Sequence, residues 1–484
     1  YEHSMDKILA GHKLRRLRQT IDLSQSAMAE TLGISPSYLN LLEHNQRPLT
    51  AAILLKIGSS FNINIMEFAE DDTHSLVNNL SEIFTDPVMF EERVTRRDLQ
   101  DMVTASPTAS RAIIRLFQAY RSVRDELENN AGTQGTPQVL SNSVEHVRHI
   151  LEKNNNHFAA LEEQALNLRH HIQTPITGIN TKSMPQDVDF NALIAYIQST
   201  QNITVRVMPA DVMGANLRRY DHHRQDILIS EVLRRPQRIF HLLVQYSLIE
   251  QNQIINPLIT DTEHLTEQTL SLMRITMAGY FAAAVMMPYS QFLHAAKSLR
   301  YDIDLLSRRF GVTFEQACHR LTTLNAPDAK GIPFAFVRID DAGNISKRIS
   351  AAGINFALHS GACPKWSVHR SFRNPEKTLV QAAELPNGQQ VLSIARAVPP
   401  LLTISSQSAP EFAIALGCEL HHASDIVYAD HLDTGKNKML DAVGVNCSVC
   451  ERLDCTQRSH PPIGYELRFD SHMRRVGLYD LDKN

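Results

Sequence analysis

The stretch 23–50, LSQSAMAETLGISPSYLNLLEHNQRPLT, restricts the possible folds of this chain more than any other. Ser24 is placed to cap a helix running to Leu32, because a serine oxygen accepts from the free N–H groups of a first turn. Gly33 supplies a tight turn. Ser35 caps the next helix, and Pro36 takes its first position, where a missing N–H costs nothing. Apolar Ala27, Met28, Leu32, Ile34, Leu39 and Leu42 recur at spacings that lock two short helices at a steep angle. Helices locked in this way can present the second one to a DNA major groove about 12 Å wide.

The exposed face of that second helix carries Ser35, Ser37, Tyr38 and Asn40, which can bond to or pack against base edges. Gln25, Asn45, Gln46 and Arg47 are placed for phosphate contacts. Lys13, Arg15, Arg16 and Arg18 add local positive charge, offset by Asp6 and Asp22. The whole chain has a formal charge of −4, so any nucleic-acid surface has to be local. The segment resembles the helix-turn-helix of phage-repressor-like regulators over roughly residues 8–68. An unrelated three-helix bundle with chance turn chemistry is the alternative. A head this small implies a homodimer, or a higher homo-oligomer, reading two half-sites of double-stranded operator DNA. The helices expected between Ser75 and His171 are the candidate dimerisation element.

A length of 484 residues allows roughly three domains. The fold class expected is multidomain, mainly α with α+β. A helix-turn-helix bundle covers 5–70 and a helical linker or dimerisation region covers 71–172. A degenerate zincin-like α/β domain covers 190–325, and a β-rich C-terminal domain with a cysteine cluster covers 330–484. Tyr1–Ser4, ahead of Met5, are expected to be a vector remnant. Pro87 and Pro107 mark helix breaks, and Asn129–Gln138 (NNAGTQGTPQ) is the best linker candidate. One polar helix is expected from Ser141 to His171. Ile203–Met208 and Asp226–Ile229 read as strands, followed by apolar helices around Phe240–Ile249 and Leu270–Met287. PFAFVRID with AGN behind it reads as strand, turn, strand, and Val391–Ala397 as a further strand. The longest apolar stretch, Ile275–Pro288, is shorter than the ~20 residues of a membrane span and reads as a core helix. No secretory signal is read, so a reducing cytoplasm and no membrane partner are expected.

The region Asn191–Pro288 resembles the zinc-peptidase domain of repressor-cleaving enzymes. That family carries H-E-x-x-H, two histidines one turn apart that hold zinc, with the glutamate as general base. Here the matching residues are His241, Leu242, Leu243, Val244 and Gln245, and the third ligand position corresponds to Met277. Leu242 takes no proton, and Gln245 and Met277 are not ordinary zinc ligands. The expectation is therefore no catalytic residue and no enzyme, with the cleft turned to binding a small molecule. Arg218, Arg219 and Arg274 are candidates for the phosphates of an acyl-coenzyme A. Tyr220, Tyr246, Tyr280 and Phe281 are candidates for its adenine or acyl chain.

Near the C-terminus, VGVNCSVCERLDCTQR sets Cys447, Cys450 and Cys455 in a C-x2-C-x4-C pattern. Thiolates so spaced select zinc or an iron–sulfur cluster, with Cys363 in GACPKW as candidate fourth ligand and Cys418, His421 and His422 behind it. Reduced loop thiols or a redox disulfide are the alternative, and Cys318 reads as a small buried hydrophobe.

The head, the peptidase frame, RYDIDLLSRRFGVTFEQACHRLTTL, GACPKWSVH and CSVCERLDC together resemble the bacterial short-chain fatty acid regulator family, from about Ile8 to about Arg475. That family includes regulators of propionate and glyoxylate metabolism. The resemblance implies transcriptional control of acyl-coenzyme A genes, with coenzyme A or a short acyl-coenzyme A as effector. It also implies a [4Fe-4S] cluster on Cys447, Cys450 and Cys455. A redox-sensing iron–sulfur regulator is the alternative reading, and a repressor-cleaving metallopeptidase is disfavoured by the missing glutamate and second histidine.

Overall fold

The computed structural model describes residues 11–21, 23–43, 47, 49–61, 72–84, 94–129, 138–173, 187–250, 254–259, 265–349, 363–399, 410–432, 439–447, 450–462, 466–468, 472 and 480–482. They divide into two compact units, one chiefly within Tyr1–Arg121 and the other chiefly within Ser122–Pro461.

The first unit opens with four short helices, α1 (Gly11–Thr20), α2 (Gln25–Leu32), α3 (Pro36–Glu43) and α4 (Ala51–Phe61). Ser24 Oγ accepts from the Ala27 N–H at 3.1 Å, and Gly33 ends α2 in a left-handed conformation at φ 62°. Leu14, Met28, Leu32, Leu39, Leu42 and Ile57 form the buried centre. Three further helices follow, α5 (Asp72–Ile83), α6 (Arg96–Ala105) and α7 (Pro107–Asn129). A small core of its own, including Leu80, Leu99, Val103 and Phe117, holds them together. Pro107 begins α7, as a proline can at a first helical turn. Pro87 and residues 130–137 of the expected linker lie outside the described residues.

The second unit starts with α8 (Gln138–Lys153) and α9 (Ala159–Gln173). The sequence reading expected one helix here. The chain instead breaks at Asn155 and Asn156, whose φ values of 51° and 52° are left-handed. Asparagine tolerates that region several-fold better than other side chains, so an Asn run is where a helix can stop. After α10 (Phe190–Gln201) come β1 (Thr204–Met208), β2 (Arg218–Asp221) and β3 (Asp226–Ser230). They form a three-stranded sheet of order β1-β3-β2, with β1 parallel to β3. Every residue of β3 is buried, as its apolar run requires.

Helices α11 (Arg235–Ile249) and α12 (Glu267–Met286) follow, and α12 packs against α8, α9 and α11. By length and composition α12 is apolar enough to cross a membrane, but its faces are taken up by neighbouring helices and Met277, Ala278 and Ala282 are fully buried. The buried Arg169 guanidinium donates to the Val285 and Met286 carbonyls at 2.9 and 3.3 Å, a cation set at the helix C-terminus. Three shorter helices, α13 (Tyr289–Ser298), α14 (Ile303–Phe310) and α15 (Phe314–Leu321), lead into a six-stranded sheet. Its strands are β4 (Ala335–Asp340), β5 (Ile345–Ile349), β6 (Leu379–Glu384), β7 (Gln390–Val398), β8 (Phe412–Glu419) and β9 (Asp441–Ala442), in the order β9-β6-β7-β8-β4-β5. One sheet face, with Phe336, Ile394, Ile414 and Leu416, joins the helical core. The other packs Val337, Ile339 and Ala415 under Val368 and Trp366.

Candidate functional site

A cleft of about 700 Å3 opens between α8, α11 and α12 on one side and α15 with the β4–β5 hairpin on the other. The volume lies within the range of small-molecule sites. Helix periodicity builds the first wall. Leu272, Thr276, Gly279 and Ala283 recur every three or four residues and face the cleft, whereas Met273, Met277 and Phe281 turn into the core. On α11, Phe240, His241 and Val244 face the cleft and the fully buried Leu242 and Leu243 do not. Gly279 and Ala283 leave room: a Cβ on Gly279 would meet only the Phe240 ring at 3.8 Å.

The opposite wall is polar. Arg338 stands directly across from Lys347 in the hairpin register. Its guanidinium donates to Glu315 at 3.0 Å and to Ser346 at 2.9 Å, and lies 4.7 Å from the centre of the Phe412 ring. Ile339 pairs with Ile345, so Ser346 is the extra residue of a β-bulge. A bulge of this kind can re-aim side chains, and both Ser346 and Lys347 border the cleft. Lys347 borders the cleft and keeps a large accessible area. Burial drives its ammonium down to about 8, with Glu315 opposing and Arg338 assisting the fall. Burial also holds His241 down to about 4, helped by Arg218, and keeps His319 well below its ordinary value. Both imidazoles are therefore neutral near pH 7.

Of the residues the sequence nominated for a ligand, Arg218 and Tyr280 line this cleft. Arg218 also donates to the His241 carbonyl at 3.2 Å. The other five are set elsewhere. Arg219 is exposed, as strand alternation places it opposite Arg218. Tyr220 donates to Gln225 at 2.8 Å, and Arg274 pairs with Glu267 at 3.2 Å. Tyr246 and Phe281 stack in the core with ring centres 6.5 Å apart. Sequence reasoning missed Arg338 and Lys347, although counting back from the expected turn sets these two like charges on facing strands.

Behind the cleft wall lies a buried ionic network. Arg320, with no exposed surface, donates to both Glu162 carboxylate oxygens at 2.7 Å. The Tyr280 hydroxyl donates to Glu162 at 2.5 Å and accepts from the Phe158 N–H at 3.2 Å. Burial would raise the Glu162 carboxyl, but the charge and hydrogen bonds of Arg320, with the Tyr280 hydroxyl, hold it below the usual carboxylate range. Tyr280 thus joins the cleft to α9.

In the head, Ser35, Ser37 and Asn40 are exposed on α3, and Tyr38 is half-buried against the core. Ser35 Oγ accepts from the Tyr38 N–H at 3.1 Å. Gln25 donates to Asn40 at 3.2 Å and to Glu43 at 3.1 Å, which brings two nominated contact residues together. Arg18, expected to add charge for DNA, is instead bound to the buried Glu43 at 2.6 Å. Its charge is neutralised within the fold. Arg47 is exposed, and Asn45 and Gln46 lie outside the described residues.

The Cys363 N–H donates to the Val445 carbonyl at 3.0 Å, and a Cβ on Gly444 would lie 3.0 Å from Cys450 Sγ. Cys363 and Cys450 are thereby drawn to one backbone segment. Burial, aided by Cys447 and Cys450, raises the Cys363 thiol. The Arg458 guanidinium donates to the Cys447 and Cys450 carbonyls at 2.8 and 2.9 Å and also to the Arg452 carbonyl. Among the described residues, no three His, Cys, Asp or Glu side chains form a ready-made metal site, although Cys447 and Cys450 lie near enough to Cys363 to act on its thiol. Cys418 is a core residue of β8, and His421 pairs with Glu419 at 3.0 Å.

Known proteins share this arrangement. The profile described as "Short-chain fatty acyl coenzyme A regulator, C-terminal" matches residues 323–479, "IrrE N-terminal-like domain" matches 198–322, and "Helix-turn-helix" matches 14–68. The chain is 34% identical to the HTH-type transcriptional regulator RamB of Mycobacterium tuberculosis, over 98% of this chain and 99% of that one. It is likewise 34% identical to PrpR of the same organism, over 96% and 94% of the two chains. A propionyl-CoA carboxylase regulator of Cereibacter sphaeroides is 34% identical over 98% and 99%. A solved structure of a Mycobacterium tuberculosis transcriptional regulator superposes with a TM-score of 0.63 at 33% identity, covering 70% of this chain and 99% of that one. With its DNA-binding helix-turn-helix and relatives matched almost end to end, the chain belongs to the short-chain fatty acyl coenzyme A regulator family of transcriptional regulators.

Proposed function

We propose that this regulator senses short-chain acyl-coenzyme A, of the propionyl type, or coenzyme A itself, in the cleft between α12 and the β4–β5 hairpin. The observation that carries the reading is the polarity of that cleft, with an apolar wall that includes Gly279 and Ala283 facing a wall with Arg338 and Lys347. An acyl thioester has the matching polarity, with an apolar acyl end and an anionic nucleotide. The name of the Cereibacter relative points to the same metabolism. The protein is not an enzyme in this reading, because the base position of the peptidase frame holds Leu242 in the core.

Helix α8 lines the cleft through Val147, Arg148 and Leu151 and follows the head and α7 in sequence. A ligand that favours one packing of α8 shifts the population of DNA-competent dimers, which requires several kcal/mol of differential affinity. Gln25, Ser35, Ser37, Tyr38, Asn40 and Arg47 then contact operator DNA in the cytoplasm. Iron–sulfur or zinc binding at Cys363, Cys447, Cys450 and Cys455 is a separate proposal supported by thiol spacing.

The test is calorimetric titration of the full chain with propionyl-coenzyme A, acetyl-coenzyme A and free coenzyme A, followed by operator binding at ligand saturation. Micromolar binding that changes operator affinity is the expected result. Absence of binding by all three overturns the reading, and binding with no effect on DNA overturns the population shift.

A further inference from the structure

Lys347 is an anomaly of the cleft that the fold does not explain. Arg338 and Lys347 are direct cross-strand neighbours, a position at which like charges destabilise a sheet. Arg338 is compensated by Glu315, Ser346 and the Phe412 ring. Among the described residues, Lys347 has no ion pair or hydrogen bond, and Glu315, the acid facing this pair, is bonded to Arg338. The β-bulge lies at Ser346, and Lys347 beside it borders the cleft. An ammonium at a pocket wall with no ion pair of its own is a group that an anionic ligand can pair with.

We propose that Lys347 is the anion-reading residue of the cleft, donating to a phosphate oxygen of the bound nucleotide. The proposal rests on the acyl-coenzyme A reading above and adds the position in the cleft of the ligand's charged part. The phosphate group lies at the β4–β5 hairpin, which leaves the acyl end to the apolar face of α12 at Gly279 and Ala283. The groups facing Lys347 are Glu315 and His319 on α15 and Arg338 on β4, with Arg148 of α8 and Arg348 bordering the same cleft. His319 is neutral across the range that matters, and the arginines keep their charge. Lys347 is then the lysine whose protonation changes just above neutral pH. A phosphate binds its ammonium and not its amine, so affinity falls as pH rises through about 8.

The experiment compares the full-length wild type, Lys347→Met and Lys347→Arg by titration with propionyl-coenzyme A from pH 7 to 9.5. The thioester has no free thiol to titrate, and its phosphates are fully ionised above their second pKa near ~6. At pH 7, Lys347→Met is expected to bind about 10- to 100-fold more weakly, the range for a lost charge-assisted hydrogen bond. Lys347→Arg is expected to bind nearly as the wild type and to lose the decline above pH 8, because guanidinium stays charged. A role in folding alone predicts neither the rescue nor the flattened profile. Dephospho-coenzyme A separates the two phosphate sources. A Lys347 effect that disappears with it assigns the contact to the ribose phosphate, and one that persists assigns it to the diphosphate. If the wild type binds no coenzyme A species, the effector reading and this one fall together. If the wild type binds and Lys347→Met binds equally with the same pH profile, only the role of Lys347 is overturned.

Discussion

Replacing Glu162 by glutamine tests whether the Arg320–Glu162 pair organises the second unit. Arg320 has no exposed surface and the Glu162 side chain is 11% exposed, so water cannot take over the lost contact. Removing one charge of a buried pair costs about 3–5 kcal/mol, because the other charge is stranded in low dielectric. Glutamine keeps one carbonyl to accept from the guanidinium and from Tyr280, which favours the lower end, about 3 kcal/mol. For a unit the size of Ser122–Pro461, at about 2.1 cal/mol/K of unfolding entropy per residue, that corresponds to a Tm lower by roughly 4 °C. The pH dependence gives a second readout. The folded-state pKa of Glu162 is lowered, so its contribution is complete above the unfolded value near ~4.3 and is lost as pH falls through the folded value. The gap between wild type and variant in thermal unfolding should therefore be full at pH 7 and close on acidification below about pH 4. The double variant Glu162→Leu/Arg320→Met should be less damaged than Glu162→Gln, since no charge is stranded. A Tm at pH 7 within ~2 °C of wild type, or a double variant worse than the single, refutes the argument.

Two further outcomes concern the head and the cysteine loop. Asn40→Ala removes an exposed polar group of α3 whose partner Gln25 is itself partly accessible, so stability should hold. Operator affinity measured by fluorescence anisotropy should fall by about 1–3 kcal/mol, with less loss on mismatched sequences. An unchanged preference between operator and mismatch would remove Asn40 from base recognition. For the loop, Cys450→Ser should abolish zinc and iron in protein purified without oxygen, as read by elemental analysis, and unchanged metal content would place the metal elsewhere.

What the sequence showed was local. The cap at Ser24, the turn at Gly33, the cap at Ser35 and the strand pairs around Ile339 and Ile229 each depend on residues close together in the chain, and turn chemistry expresses them directly. The split of α8 from α9 was also written locally, in Asn154–Asn156, but helix periodicity on both sides outweighed it. The cleft was not legible. Phe240 and Lys347 border the same space although they lie on elements far apart in the chain, and no local pattern links them. The misplaced aromatics have a sharper cause. From Met277 to Met286 helix α12 is apolar around its whole circumference, so that part of its sequence has no polar face from which to fix its rotation. Tyr280 and Phe281, equal as candidates in the sequence, then divide between cleft and core by about 100° of helix turn. Arg18 follows the same logic: its charge was visible, but its burial partner Glu43 lies two helices away.

The peptidase-like frame and the proposed sensor function meet in the same helix faces. In H-E-x-x-H the metal ligands occupy one side of a helix, and here that side of α11 still presents His241 to the cleft. The two positions that made the chemistry have turned apolar and joined the core, Leu242 at the base and Met277 at the third ligand, both without exposed surface. Packing occupies those positions without closing the cavity, because Gly279 and Ala283 keep the facing wall of α12 thin. A sensor needs more than a hole: its ligand must prefer one state of the protein. The cleft carries an ammonium at Lys347 that has no ion pair or hydrogen bond among the described residues and only Glu315 as a favourable charge nearby. In the proposed reading an anionic ligand supplies the ion-pair partner, and Tyr280 links the same cleft to Glu162 on α9. Binding energy is then available to α8 and α9, the helices that follow the head and α7 in the chain.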